Sequence, residues 1–106
     1  MTFEEYQTVA TRVPASLRNN QDRINLPLRG LQEESGKVSS LLQRMTATGR
    51  VDVAPEQREE LQDRLSDLLW YLTLIANETG TSLADVAAHG FVQIQERARH
   101  LDPDQR

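Results

Sequence analysis

Apolar residues recur at helical spacing along most of the chain, and no window alternates with the period of two that marks a strand. Near the start, Thr2 and Glu5 stand three residues apart, which is the spacing of a capping box at a helix N-terminus. A first helix is therefore predicted from about Phe3 to Arg12, ending before Pro14. The polar stretch of residues 14–25 is predicted to be an irregular linker or a short helix.

Two longer helices are predicted in the middle of the chain, and each opens at a proline, whose missing N–H costs nothing at the first helical position. One runs from Pro27 to about Gly49, and the next begins at Pro55. The third helix is the clearest, because its leucines step by four and three, as the residues of one buried stripe do. The predicted stripe consists of Leu61, Leu65, Leu68, Leu72 and Ile75.

A fourth helix is predicted after Gly80, because glycine readily takes the left-handed conformation that ends a helix. Ser82 and Asp85 form a second capping box at its start. Its apolar face ends before Pro103, which leaves residues 102–106 as a tail. That face consists of Ala87, Phe91, Ile94, Ala98 and Leu101. Four helices joined by short loops predict an all-α bundle, with residues 1–106 as one domain.

The third helix is apolar well beyond its stripe, since Leu69, Trp70, Tyr71 and Leu74 widen the face. A helix that is apolar on most sides is buried on most sides. A chain of 106 residues can provide that burial only by pairing with a second copy. The sequence therefore predicts a homodimer, or a tetramer built as a dimer of dimers.

The composition excludes several classes of protein and several kinds of functional site. The formal net charge is −4, so the chain as a whole does not attract nucleic acid. It has no cysteine, which excludes a disulfide framework, a thiol nucleophile and a thiolate metal site. No apolar run approaches the roughly 20 residues of a membrane span, and no leader segment is evident. A cytoplasmic protein is predicted, with no membrane partner.

Two pairs of charged residues lie near the buried faces of the middle helices. Glu34 and Lys37 are spaced i, i+3 on the second helix, and Arg64 and Asp67 repeat that spacing on the third. Facing helices that each supply two carboxylates at this spacing can hold magnesium, which prefers oxygen ligands. Here each pair contains a base, which cannot ligate a metal ion and repels it. Ordinary solvent-exposed helix pairs, such as Glu60 with Arg64, are an alternative interpretation.

At these positions the sequence resembles the MazG-like, all-α nucleoside triphosphate pyrophosphohydrolases. Residues 30–37, GLQEESGK, are similar to a first family signature, G-L-x-G-E-x-G-E. Residues 64–72, RLSDLLWYL, are similar to a second, E-L-G-D-V-L-W-Y-L. Residues 77–83 resemble the family's turn into the last helix. The resemblance extends from residue 1 to about residue 100, except over residues 14–25, and it implies a four-helix MazG-like bundle.

The resemblance implies a magnesium-dependent enzyme that cleaves a nucleoside triphosphate into a monophosphate and pyrophosphate. Four acidic residues of the family hold the ions, which neutralise phosphate charge and position the attacking water. Glu34 and Asp67 match two of these four positions. Lys37 and Arg64 stand at the other two, so half of the implied ligands are replaced by bases.

A third family pattern, N-x-x-K-x-x-x-R, lies near the end and approaches the phosphates. Gly90 and Gln93 depart from it, and only Arg97 agrees. Arg97 is therefore the phosphate-binding candidate on the last helix.

These replacements predict a degenerate site that needs no metal cofactor. Lys37 and Arg64 are expected to fill the space of the ions, in a network that pairs Glu34 with Arg64 and Asp67 with Lys37. The change of about four charge units amounts to several kcal/mol against a divalent ion. The predicted protein is non-catalytic and acts by binding a nucleotide or a protein partner.

An active enzyme with an altered site remains the alternative, and it would use Mg²⁺ or Mn²⁺. Glu60 and Asp63 form an E-x-x-D motif one turn before the expected place, and Glu33 adds a carboxylate from the second helix. Together with Asp67, they are the candidates for a shifted metal site. Gly36, which precedes Lys37, is interpreted as a close helix contact.

Overall fold

The computed structural model describes residues 1–12, 20–47, 49 and 53–101. Four helices run through them without a strand, which confirms the all-α prediction for these residues. The helices are α1 (Phe3–Ala10), α2 (Asn20–Met45), α3 (Pro55–Glu78) and α4 (Leu83–Leu101). None of those in the described ranges combines the length and apolarity of a membrane span.

The local signals at the helix ends are confirmed. The Glu5 amide donates to the Thr2 hydroxyl at 3.0 Å, and the Asp85 amide donates to the Ser82 hydroxyl at 3.3 Å. Pro55 is the first residue of α3. Gly80 follows the end of α3 with φ of +69°, a conformation that glycine adopts without steric cost. These contacts involve residues at most three positions apart, which is why the sequence alone predicts them.

The predicted start of the second helix is wrong. Helix α2 begins at Asn20, so Pro27 lies inside it and the predicted linker is helical from residue 20 onward. A proline inside a helix removes one backbone hydrogen bond. Pro27 is buried, and apolar burial offsets part of that loss. The rest of the predicted linker, residues 14–19, and the tail, residues 102–106, lie outside the described residues.

The core lies between α2 and α3, which pack against each other more extensively than any other pair of described helices. Helix α2 contributes Leu41 and Met45, and α3 contributes Thr73, Leu74 and Ala76. Thr73 is buried without cost because its hydroxyl donates to a backbone carbonyl one turn earlier, at 2.6 Å. The α2–α3 pair is therefore the scaffold that positions the charged cluster.

The predicted burial of the α3 stripe is only partly correct within a single chain, since Leu61, Leu68 and Ile75 are half-buried. Leu65 and Leu72 are each nearly half exposed, because α2 covers only the side of α3 that carries Thr73 and Leu74. Helix α4 packs mainly on the short α1, and its residue Phe91 is mostly exposed. The periodicity identifies both apolar faces, and the described helices cover the α3 stripe in part and leave Phe91, Ile94 and Leu101 of α4 exposed.

Side-chain hydrogen bonds hold α1 against the end of the scaffold. The Trp70 indole N–H donates to the Ala10 carbonyl at 3.0 Å. The Gln7 amide donates to the Thr81 carbonyl at 3.0 Å and accepts from the Leu83 amide at 2.9 Å. Gln7 thereby links α1 to the turn between α3 and α4, across more than 70 positions of sequence.

Helix α2 makes a close contact with α3 at Gly30, and not at Gly36 as predicted. A Cβ at Gly30 would overlap the Tyr71 ring, with Cδ1 only 2.7 Å away, whereas a Cβ at Gly36 would meet no atom within 4 Å. Gly30→Ala is therefore expected to lower the free energy of unfolding by about 1–2 kcal/mol, since overpacking outweighs the gain in helix propensity.

The matched control is Gly36→Ala on the same helix, which is expected to raise the free energy of unfolding by up to about 1 kcal/mol. Urea titrations followed by circular dichroism measure both variants. Equal effects of the two substitutions would contradict the close contact at Gly30.

Candidate functional site

A carboxylate lies on the buried face of α2. Glu34 shares that face with the apolar core residues, because the spacing along the helix places it there. The buried residues of this face are Pro27, Gly30, Glu34, Leu41 and Met45. Only 9% of the Glu34 side chain is exposed. A carboxylate so placed requires a positive partner, because desolvation of an isolated charge is costly.

Two cations supply that partner from two different helices. Lys37 Nζ lies 3.2 Å from Glu34 Oε1, one turn further along α2. Arg64 Nη1 approaches Glu34 Oε2 from α3, at 3.6 Å. The second contact is an ion pair without a hydrogen bond, because Oε2 is buried and has no hydrogen-bond partner in the structure. The Lys37 side chain is 50% exposed and that of Arg64 33% exposed, so both cations also face solvent.

One of the two ion pairs of the predicted network is present. Arg64 pairs with Glu34, as predicted. Lys37 pairs with Glu34 and not with Asp67, which is exposed, and no ion pair joins Lys37 to Asp67 in the described part of the chain. Lys37 and Glu34 are neighbours on one helix turn, so their pairing needs no approach between helices. The cluster therefore centres on a single carboxylate.

The other acidic candidates lie apart from this centre. Glu60 is 3.6 Å from Arg44 of α2, and it does not form the pair with Arg64 that the alternative interpretation named. Glu33 and Asp63 are exposed. Among residues 1–12, 20–47, 49 and 53–101, no three His, Asp or Glu side chains are grouped so that they could hold a metal ion. The shifted metal site therefore has no geometric support.

A groove of about 600 Å³ opens beside the cluster, between α2 and α3. Three cations face it, Lys37, Arg44 and Arg64, together with the carboxylates of Glu33 and Glu60. Gly36 and Ser40 complete the lining. Asp63, Asp67 and Arg97 are not part of it, and Arg97 is exposed on α4.

Ser40 and Arg44 are site residues that the sequence analysis missed. They follow Gly36 and Lys37 on α2 at the spacings of one and two helical turns, so all four share one side of the helix. That stripe was detectable in the sequence. The family signature ends at Lys37 and does not extend to these two residues.

The groove carries three cations and two carboxylates, and its N–H donors are the groups to which an anion would hydrogen-bond. Lys37 has three N–H donors and Arg64 has five, and the one Glu34 carboxylate cannot satisfy them all. Phosphate and carboxylate oxygens accept hydrogen bonds from such donors, and guanidinium groups bind these oxygens in pairs. Arg44 adds charge at the rim, although its exposed pair with Glu60 contributes little stability.

Comparison with known proteins places this site in no established family. No protein-family model matches the chain, and no solved structure matches it significantly. It is similar to the Gene 37 protein of Mycobacterium phage L5, with 26% identity over 68 residues, which are 64% of this chain and 60% of the phage protein. The chain therefore aligns with less than two thirds of that relative. These comparisons do not support the MazG-like resemblance, which stays a prediction.

Proposed function

We propose that this chain is a non-catalytic, metal-independent MazG-like protein of the cytoplasm that binds a nucleotide through its phosphates. One observation carries the proposal, namely that Lys37 and Arg64 both neutralise the buried carboxylate of Glu34. In the resemblance, Lys37 and Arg64 occupy the positions of two metal ligands. In this proposal the side chains of Lys37 and Arg64 neutralise the negative charge of Glu34, which a metal ion would otherwise neutralise.

Electrostatic repulsion by Lys37 and Arg64 supports a site that does not bind divalent metal ions. A divalent cation that bound Glu34 would lie close to both Lys37 and Arg64. At an effective dielectric constant of about 20, two unit charges 4 Å apart interact by about 4 kcal/mol, and a doubly charged ion doubles that repulsion. The single buried carboxylate cannot offset two such repulsions.

An anionic ligand suits the groove better than a metal. The exposed parts of Lys37 and Arg64 point to a ligand that accepts several hydrogen bonds at once, as phosphate oxygens do. A protein partner with acidic side chains would present the same chemistry. A nucleotide is preferred because the resemblance covers the segments that carry Glu34 and Arg64.

Binding is best tested without metal. Isothermal titration with nucleoside triphosphates in EDTA is expected to show binding, and Lys37→Gln or Arg64→Gln is expected to weaken it by about tenfold each, from the loss of one charge-assisted contact. Arg58→Gln, an exposed residue of α3 outside the groove, is the control. Unchanged affinity in both groove variants would contradict the proposal.

The enzymatic alternative is tested in the same preparation. Pyrophosphate release is measured with ribo- and deoxyribonucleoside triphosphates, in the presence of Mg²⁺ and of Mn²⁺. The proposal expects no turnover. Turnover that Asp67→Ala abolishes would instead establish an active enzyme whose metal ion has found other ligands.

The proposal includes a homo-oligomer, as predicted from the apolar circumference of α3. Leu65, Trp70 and Leu72 remain exposed on α3 in the isolated chain, which supports a further layer of packing. Sedimentation equilibrium distinguishes a dimer from a tetramer.

A further inference from the structure

A pocket lies between the first turns of α2 and the last turns of α3, apart from the groove described above. On α3, Trp70, Leu74 and Glu78 follow one another at steps of four residues, so they share one side of the helix. On α2, Leu26 and Pro27 contribute to the lining, which is mainly apolar. The volume of this end pocket is about 180 Å³.

Two aromatic rings line the end pocket, and the structure holds both in place. The ring centroids of Trp70 and Tyr71 lie 5.2 Å apart, with 41° between the ring planes. The Trp70 indole N–H donates to the Ala10 carbonyl, and the Tyr71 ring lies against Gly30, where a larger residue would overlap it. Aromatic rings pack favourably against other flat rings. Because these two are fixed before a ligand arrives, little conformational freedom is lost on binding.

A mostly buried carboxylate also lines the end pocket. The Glu78 side chain is only 16% exposed, and Arg23 Nη1 lies 3.6 Å from its Oε1. This ion pair neutralises Glu78, so the pocket favours a neutral ligand over a cationic amine. A carboxylate has two oxygens with about four acceptor positions. Glu78 can therefore accept an N–H from a ligand in addition to its contact with Arg23.

The volume of the end pocket limits the size of its ligand. An apolar cavity of about 150 Å³ in a protein interior accommodates benzene, so about 180 Å³ accommodates one six-membered ring. In mainly apolar pockets the few polar groups fix the orientation of the ligand. Leu26 is 44% and Trp70 42% exposed, so substituents of the ring can extend into solvent on that side.

We infer that the end pocket binds a neutral, planar, single-ring heterocycle, which packs against Trp70 and Tyr71 and donates an edge N–H to Glu78. This site is additional to the proposed phosphate site and does not depend on it. Leu26 and Lys37 are eleven residues apart, about three helical turns, so the pocket and the groove lie on one side of α2, roughly 16 Å apart. A free heterocycle and the base of a nucleotide held in the groove present the same chemistry to this pocket.

The chain provides its own reporter of binding, because Trp70 is its only tryptophan. Titration with uridine, whose ring carries an N–H, is expected to change the Trp70 fluorescence with a dissociation constant on the order of 1 mM or tighter. In 3-methyluridine a methyl group replaces the hydrogen of that N–H, and binding is expected to be at least about tenfold weaker. Equal binding of the two nucleosides, or no response to uridine, would overturn the inference.

A variant of the carboxylate tests its role directly. Glu78→Gln is expected to weaken uridine binding about tenfold, because the ligand N–H loses an ionised acceptor. Glu59→Gln, at an exposed position of the same helix outside the pocket, is the matched control and should bind uridine like the natural protein. The same affinity in Glu78→Gln as in the control would overturn the inference.

A second variant leaves the Arg23–Glu78 pair intact and fills the pocket instead. Leu26→Trp is expected to weaken uridine binding by about tenfold or more, because the larger ring occupies the ligand's place. Leu28→Trp is the matched control, since Leu28 is 43% exposed on the same helix and does not line the pocket. Titration calorimetry measures both variants, because each adds a tryptophan. Undiminished binding in Leu26→Trp would overturn the inference.

Titration with uridine triphosphate in EDTA distinguishes the two sources of the heterocycle. If the ring is the base of a nucleotide, the triphosphate binds more tightly than uridine, and Glu78→Gln and Lys37→Gln each weaken it. If the ring belongs to a free molecule, the two ligands bind the pocket equally and Lys37→Gln changes neither. Either result supports the end pocket, and the second contradicts the proposed phosphate site alone. Loss of triphosphate binding in Lys37→Gln without any loss in Glu78→Gln would overturn the end pocket alone.

Discussion

Replacing Lys37 and Arg64 together by glutamate is expected to destabilise the metal-free protein by about 3–5 kcal/mol, and to make its stability depend on magnesium. In the natural protein both bases neutralise the buried Glu34. In the variant, two carboxylates would instead repel it. The four acidic positions implied by the resemblance would then be Glu34, Asp67 and the two replacements, a set of oxygen ligands that suits a hard divalent ion.

Thermal unfolding in EDTA and at increasing magnesium concentration measures this effect. Once the ion exceeds its dissociation constant, each tenfold increase should raise the free energy of unfolding by about 1.4 kcal/mol. Arg29→Glu/Arg58→Glu makes the same change in net charge at exposed positions of α2 and α3. A comparable loss of stability in that control would show that net charge, and not the cluster around Glu34, is responsible.

Removing Arg64 alone is expected to cost about 2–3 kcal/mol of unfolding free energy. Arg64→Met keeps much of the side-chain volume but leaves Glu34 Oε2 without its cation, in a place where it has no hydrogen bond. Breaking a buried pair at one partner commonly costs 3–5 kcal/mol. The lower figure is expected here because Arg64 is one third exposed and Lys37 continues to neutralise the carboxylate.

The double variant Glu34→Leu/Arg64→Met separates loss of the ion pair from loss of packing. Replacing both members of a buried pair by apolar residues is often neutral or stabilising, so the double variant should recover most of the stability. Arg58→Met, an exposed arginine on the same helix, should change stability by less than about 0.5 kcal/mol. A double variant as unstable as Arg64→Met would refute the view that an unpaired Glu34 is the cause.

The sequence by itself determined the features that depend on neighbouring residues. The caps at Thr2 and Ser82, the start of α3 at Pro55 and the glycine at its end are all correct, because each involves contacts within one turn. Helical periodicity also identified the apolar faces of α3 and α4. Pro27 is the exception, since its place inside α2 reflects the burial of the proline in the tertiary structure.

The contacts of the candidate site are likewise of two kinds: some depend on neighbouring residues, and others depend on the tertiary structure. That Glu34 lies on the buried face of its helix follows from its spacing, and so does its contact with Lys37 one turn later. Its contact with Arg64 depends on how α2 and α3 align. The sequence suggested that alignment only through a family resemblance.

Only the tertiary structure decided which surfaces are covered. Whether Leu65 and Phe91 are buried depends on the position of every other helix, and the short α1 and the α2–α3 pair leave both exposed. In the same way, Lys37 pairs with Glu34 and not with Asp67 because the partner on its own helix turn is nearer than any on α3. Periodicity fixes the direction of a side chain on its helix, whereas burial and pairing depend on what the rest of the chain places opposite it.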